Sequence, residues 1–185
     1  ICIIQNMPDV IVGFGANLGD PPAVFAAALD RLSRETEIIG VSRLWRTRPV
    51  GPDQPDFTNF AVLLRWPGDP LRLLRRCRDI ETDAGRRREA EDRWGPRTLD
   101  LDLLVARDLV WRSGDLTLPH PRFHQRAFAL VPAAELAPDW PHPLVGKTIE
   151  ELAAETIRAD PGAVISSAPF PAELQSAVDR IVAHN

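Results

Sequence analysis

Apolar and polar positions along this chain fall into blocks whose period changes several times. Residues 9–16, Asp-Val-Ile-Val-Gly-Phe-Gly-Ala, form a short and almost unbroken apolar run, the mark of a buried strand. Asp20 followed by Pro21 is an N-cap with proline at the first helical position, and it opens a helix to about Arg34. Its Val24, Ala27, Ala28, Leu29 and Leu32 recur at helical spacing. Residues 36–46 alternate loosely, with Ile38, Ile39, Val41, Leu44 and Trp45, and predict a second strand. A loop rich in proline and glycine follows over 47–56, then a third strand over 57–66 closed by Pro67-Gly68. A helix is expected from about Pro70 to Ala84, a loop bearing glycine and arginine over 85–97, and a fourth strand over 98–106. The order βαββαβ predicts an α+β fold, a ferredoxin-like sandwich of an antiparallel sheet with helices packed on it. Beyond it come a short strand pair over 109–118, a His-Pro loop and a short helix near 124–131. The pattern divides into one domain over 7–160 and a C-terminal extension, 161–185, with one helix over 171–183 and no chemistry assigned to it.

Composition narrows the classes. At 185 residues the chain suits one domain with a sizeable core. A formal net charge of −4 argues against a protein built to hold nucleic acid or membrane through its overall charge. Cys2 and Cys77 are too few for a disulfide framework or a zinc site, so a reducing, cytoplasmic setting is expected. No apolar run approaches the roughly 20 residues of a membrane span. The opening Ile1-Cys2-Ile3-Ile4 lacks the basic segment of a signal peptide, and Met7 is the expected translation start.

The glycine cluster Gly13-Phe-Gly15-Ala-Asn-Leu-Gly19 misses the dinucleotide fingerprint by one residue, and no parallel βαβ unit follows it. It reads as a tight turn into a capped helix. Asp100 and Asp102 are more telling: residues i and i+2 of a strand share one face, so the two carboxylates lie side by side. A hard divalent cation would relieve their repulsion. An exposed sheet face turned to water gives the same pattern, though aspartate is a poor strand former. Arg86, Arg88, Arg93 and Arg97 lead directly into that strand, and arginine forks suit phosphate oxygens. Trp94 could cover a nucleotide or anchor the loop, and His120 alone is a hydrogen-bonding residue as readily as a catalyst. Phe57 and Asn59 share a strand face, an aromatic platform beside an amide that could read a polar heterocycle.

Together these blocks resemble a known family. Arg93-Trp-Gly-Pro-Arg97-Thr-Leu-Asp100-Leu-Asp102-Leu-Leu is similar to the signature of the 6-hydroxymethyl-7,8-dihydropterin pyrophosphokinases of folate biosynthesis. Three further blocks match in order: Gly15-Ala-Asn-Leu-Gly-Asp20, Thr47-Arg-Pro49-Val50-Gly51 with Gln54-Pro-Asp-Phe57-Thr-Asn59, and Leu118-Pro-His120-Pro-Arg with Arg126-Ala-Phe128. The resemblance implies an ATP-dependent diphosphotransferase acting on that pterin, with two Mg2+ ions on Asp100 and Asp102. It implies that Arg86 and Arg97 brace the moving pyrophosphoryl group, with Arg88 assisting. Glu81, Trp94, Leu103, His120 and Arg126 would line the ATP side. Phe57 and Phe128 would sandwich the pterin, while Thr47, Asn59 and the backbone near Pro49 and Val50 read its edge. Departures are Ala16 where serine is common, Arg78 where glutamine often contacts the nucleotide, and Arg48 between Thr47 and Pro49. Partners beyond the two substrates are not expected: no nucleic acid, no membrane, and a monomer. The rivals are an RNA-binding module, disfavoured by the absence of tyrosine and the negative net charge, a metal-dependent phosphohydrolase, and an inactive regulator.

Overall fold

The computed structural model describes residues 8–86 and 95–183. Eight strands and five α-helices follow in the order β1 (Asp9–Ala16), α1 (Pro21–Leu32), β2 (Glu37–Val41), β3 (Leu44–Thr47), β4 (Phe57–Arg65), α2 (Pro70–Asp83), β5 (Asp100–Ala106), β6 (Trp111–Ser113), β7 (Leu116–Leu118), α3 (Ala127–Leu136), α4 (Ile149–Ala159), β8 (Val164–Ala168) and α5 (Ala172–Val182). The fold is mixed α+β. Its main sheet runs β5-β1-β4-β3-β8, with β2 also on β4, and every pairing is antiparallel.

Alternation along the central strands divides the core in two. Val10, Val12 and Phe14 of β1, with Phe60, Val62 and Leu64 of β4, face α1, α2 and α5. Ile11 and Ala61, with Leu104 and Val105 of β5, face α3 and α4. Both helices predicted at the start of the chain form as expected, their N-caps Asp20 and Asp69 accepting from Ala23 and Arg72 backbone N–H groups.

The predicted strand over 36–46 is two strands on one edge of β4. Ser42 interrupts it: its backbone N–H donates to the Ala61 carbonyl, and its Oγ accepts from the Ala61 N–H, both at 2.9 Å. The next residue turns out to Glu135, whose carboxylate accepts from the Arg43 backbone N–H at 2.8 Å. The helix predicted to end at Val131 begins after a 3-10 turn (Phe123–Gln125) and runs through Pro132 to Leu136. Burial of Leu130, Val131 and Ala133 outweighs the one hydrogen bond lost to the proline. Helix α4 is not anticipated in the hydrophobic pattern, although Thr148 and Glu151 form a complete capping box at its start. The extension set apart at 161 joins the main body: β8 pairs with β3, and Leu174, Ala177, Val178 and Ile181 of α5 enter the core beside α1. Met7 lies outside the described residues.

Candidate active site

Two glycines make the floor. In the register of β1 with its neighbours, Gly15 lies opposite Asn59 of β4 on one side and Asp100 of β5 on the other. Gly13 is likewise flanked by Ala61 and Asp102. Asn59 and Asp100 therefore stand two strand spacings apart, roughly 10 Å, with no side chain between them. Gly13 and Gly15 are residues of the strand expected over 9–16, and of that cluster Gly19 has a left-handed backbone, φ 71°. A cleft of about 580 Å³ opens over this floor.

One wall is ionic. Arg86 Nη1 donates to Asp100 Oδ1 at 2.5 Å, and Arg97 Nη1 bonds the other oxygen, Oδ2. Behind them Glu81, fully buried, accepts from Arg86 Nη1 at 2.5 Å and from the Leu101 backbone N–H at 2.8 Å. Burial alone would raise the Asp100 pKa, but the Arg86 and Arg97 guanidinium groups overcome it and hold the carboxyl below its ordinary range. Asp102 behaves in the opposite way. Its burial and the neighbouring Asp100 charge, with a smaller push from Glu81, raise it to about 7 against Arg126, whose Nη1 is 3.8 Å away. Some 35 % of the Asp102 side chain stays open, so a ligand in the cleft can reach it.

This donor set fits magnesium. Two carboxylates on one strand face supply hard oxygens, and burial with the neighbouring Asp100 charge, which raises the Asp102 pKa, is what a bound cation would relieve. Among the described residues, no cluster of three or more His, Cys, Asp or Glu is placed to hold a metal ion. A cation on this pair would complete its shell with phosphate oxygens and water, as magnesium does at nucleotide sites.

The other wall is neutral. Asn59 Nδ2 donates to Thr47 Oγ1 at 2.8 Å, and both residues are buried. Phe57 reaches the cleft from β4 and Phe128 from α3, with the Arg126 guanidinium 5.4 Å from the Phe128 ring centroid. His120 accepts from the Arg122 backbone N–H through Nδ1 at 3.2 Å. Burial, then the Arg126 charge, lowers its pKa to about 4, so it is a neutral hydrogen-bonding group at physiological pH.

Asn17 ties the two walls together. Its Oδ1 accepts from the Arg97 backbone N–H at 2.7 Å, and its Nδ2 donates to Gln54 Oε1 at 3.1 Å and to the Pro55 carbonyl at 3.0 Å. The model of the 7,8-dihydro-6-hydroxymethylpterin-pyrophosphokinase (HPPK) family matches residues 11–138, more than half of the chain. This chain belongs to the HPPK family. It is 42% identical over 161 residues to a 2-amino-4-hydroxy-6-hydroxymethyldihydropteridine pyrophosphokinase of Pseudomonas aeruginosa, covering 83% of this chain and 98% of that one. To the protein of the same name from Synechocystis it is 41% identical over 150 residues, covering 80% of this chain and 76% of that one. Among solved structures it resembles a Plasmodium falciparum HPPK-DHPS with pteroate, with a TM-score of 0.60 and 13% identity over 83% of this chain. A second HPPK-DHPS, in complex with substrates, gives a TM-score of 0.62 at 12% identity. The chain spans 44% of the length of each of those HPPK-DHPS chains, so the likeness to them concerns the fold.

Of the HPPK residues expected from sequence, Thr47, Val50, Phe57, Asn59, Arg86, Arg97, Asp100, Asp102, His120, Arg126 and Phe128 all line the cleft. Glu81 stands behind it as the partner of Arg86. The Leu103 side chain faces the opposite core, under α1 and α2, and Pro49 does not line the cleft. Arg88 and Trp94 lie outside the described residues. Sequence reasoning passed over Asn17, Gln54 and Arg122. Asn17 and Gln54 do stand inside the quoted family blocks, but nothing local says that they meet.

Proposed function

We propose that this chain transfers the pyrophosphoryl group of ATP to 6-hydroxymethyl-7,8-dihydropterin, giving AMP and the pterin methyl diphosphate, in folate biosynthesis. Family membership and the shared name of its relatives support the reaction. The observation that carries the site assignment is the bare glycine floor between an ionic wall and an amide wall. The pterin edge meets Asn59 and Thr47, with its ring between Phe57 and Phe128 and Val50 at the mouth. The hydroxymethyl oxygen then points across Gly15 toward the phosphates on the Asp100 side.

That oxygen attacks the β-phosphorus of ATP, the bond from the β-phosphorus to the α–β bridging oxygen breaks, and the hydroxyl proton passes to solvent. Negative charge spreads over the transferred group, so positioning and cationic groups carry most of the catalysis. Asp100 and Asp102 would hold magnesium, two ions in this reading, which supplies charge neutralisation to the phosphates. Arg86 and Arg97 exchange their hold on Asp100 for the phosphate oxygens, and Arg88 assists. Glu81 keeps Arg86 in place from behind, and Trp94, His120 and Arg126 bound the nucleotide. Arg97→Ala is expected to lower kcat by about 100- to 1,000-fold with little change in pterin binding, measured by steady-state kinetics and pterin titration.

The same reading takes the core as a ferredoxin-like βαββαβ sandwich with residues 161–185 appended, supported by the order β5-β1-β4 with β2 and β3 on the far edge. It also takes the protein as a cytoplasmic monomer without nucleic-acid or membrane partners. The buried free thiol of Cys77 and the net charge of −4 support that, and no helix among the described residues is long and apolar enough to cross a membrane. The test mixes protein, ATP, Mg2+ and the reduced hydroxymethylpterin, then identifies the nucleotide product. AMP formed only with pterin present is the expected outcome. ADP, or phosphate released without pterin, would assign the carboxylates to another phosphoryl chemistry.

A further inference from the structure

The reaction makes no use of Arg48, yet its side chain sits in an unusual seat. A Cβ added to Gly162 would fall on the Arg48 guanidinium itself, against Nη2 and Cζ and 3.2 Å from Nε. The guanidinium thus occupies the space that any side chain at position 162 would need. The Arg48 backbone N–H also donates to the Ala163 carbonyl at 3.0 Å, continuing the ladder in which Thr47 pairs with Val164. The seat is itself held: Asp160 Oδ1 accepts from the Gly162 N–H, and the Asp160 carbonyl from the Ala163 N–H, both at 3.1 Å. Gly162 does not adopt a left-handed backbone, so its conformation admits alanine and the bare surface under Arg48 is what glycine provides.

The position matters because of its neighbours. Thr47, one residue earlier, bonds Asn59 on the pterin wall, and Val50, two residues later, lines the cleft. Arg48 itself lines both the cleft and an adjoining hollow of about 440 Å³ between this loop, Phe128 and the end of α4. The far end of the loop is fixed by Asn17 through Gln54 and Pro55. We propose that Arg48 is a positioning residue of the pterin wall, latched onto Gly162, so that the segment 160–168 sets the near end of the loop 48–56. The latch rests on the HPPK reading for its effect on pterin and on the geometry alone for its effect on the loop.

Four proteins test it: wild type, Gly162→Ala, Arg48→Ala and the double variant. The added methyl in Gly162→Ala displaces only the tip of a flexible side chain, so the fold and kcat are expected to hold. KM for the pterin rises about three- to tenfold in each single variant, and in the double variant by no more than in Arg48→Ala, because the two changes break one contact. KM for ATP stays within twofold of wild type. Amide exchange over residues 49–56 speeds up in the same non-additive pattern. Independent, multiplying effects, an unchanged pterin KM in Gly162→Ala, or an equal rise in the KM for ATP would overturn the latch while leaving the pyrophosphokinase reading in place. A wild type that forms no AMP, with exchange over 49–56 still coupled, would sink that reading and keep the latch. Unchanged exchange in Gly162→Ala overturns the latch whatever the activity.

Discussion

Asp100 and Asp102 are two residues apart on one strand face, yet their charges are held in opposite ways. Asp100 is clamped by Arg86 and Arg97, whereas Asp102 meets Arg126 at the longer distance of 3.8 Å. Asp102 is therefore the carboxylate left for an incoming cation. Gly15 sets the distance from this pair to the amide wall, since a Cβ there would stand 2.8 Å from Asn59 Oδ1. Gly15→Ala is expected to push Asn59 off its place, costing about 1–3 kcal/mol of stability. Pterin affinity should fall more than tenfold while Mg2+-ATP affinity is retained, both read by isothermal titration. Away from the cleft, His142 is buried, stacked on Phe123 at 6.1 Å between ring centroids, with Nδ1 accepting from the Leu144 N–H at 3.3 Å. Burial, then the charge of His124, lowers its pKa below the ordinary 6.5. The unfolded chain thus binds the proton first, and the stability His142 contributes is present above 6.5 and lost as the pH falls. His142→Asn, which keeps an acceptor near the Nδ1 position, is expected to flatten the decline in Tm between about pH 7 and pH 5.

At the level of elements, the break at Ser42 and the late strand β8 work together. The break leaves β3 free to carry its own outer neighbour, and β8 fills that edge where β2 does not reach. β3 then delivers Thr47 into the cleft with support on both sides. Helix α5 closes the core beyond it, with Leu174 fully buried. Leu174→Ala is expected to cost about 2–5 kcal/mol in urea unfolding, because a cavity opens beside α1. A peripheral tail would give a change close to zero.

For the molecule as a whole, charge is unevenly placed. The net charge is −4, but the cleft is lined by Arg48, Arg86, Arg97, Arg122 and Arg126 against Asp100, Asp102 and Asp115. Nucleotide capture is therefore expected to weaken with salt, the KM for ATP rising severalfold between about 50 mM and about 500 mM KCl. The pterin KM should change far less, since Thr47, Phe57 and Asn59 are uncharged and the Arg48 guanidinium is turned onto Gly162. Equal salt dependence for both substrates would contradict the division of the cleft into an ionic and a neutral wall.

The alternation Leu99-Asp100-Leu101-Asp102-Leu103 determined by itself that two carboxylates share a face opposite a buried one, because strand geometry has a period of two. Asp20-Pro21 and Asp69-Pro70 likewise determined where two helices start, since capping is settled within four residues. Which cation would clamp Asp100 and which would leave Asp102 short of charge was not written there: Glu81 comes from the end of α2, Arg86 from the residues just after it and Arg126 from the start of α3. That Gly13 and Gly15 lie between the two walls follows only from the register of three strands. Asn17 meets Gln54 across 37 residues, Arg97 across 80, and Arg48 finds its seat on Gly162 from more than a hundred residues away. Local propensity carries no information about such pairs, because they form only when the packed core fixes the order and register of the strands.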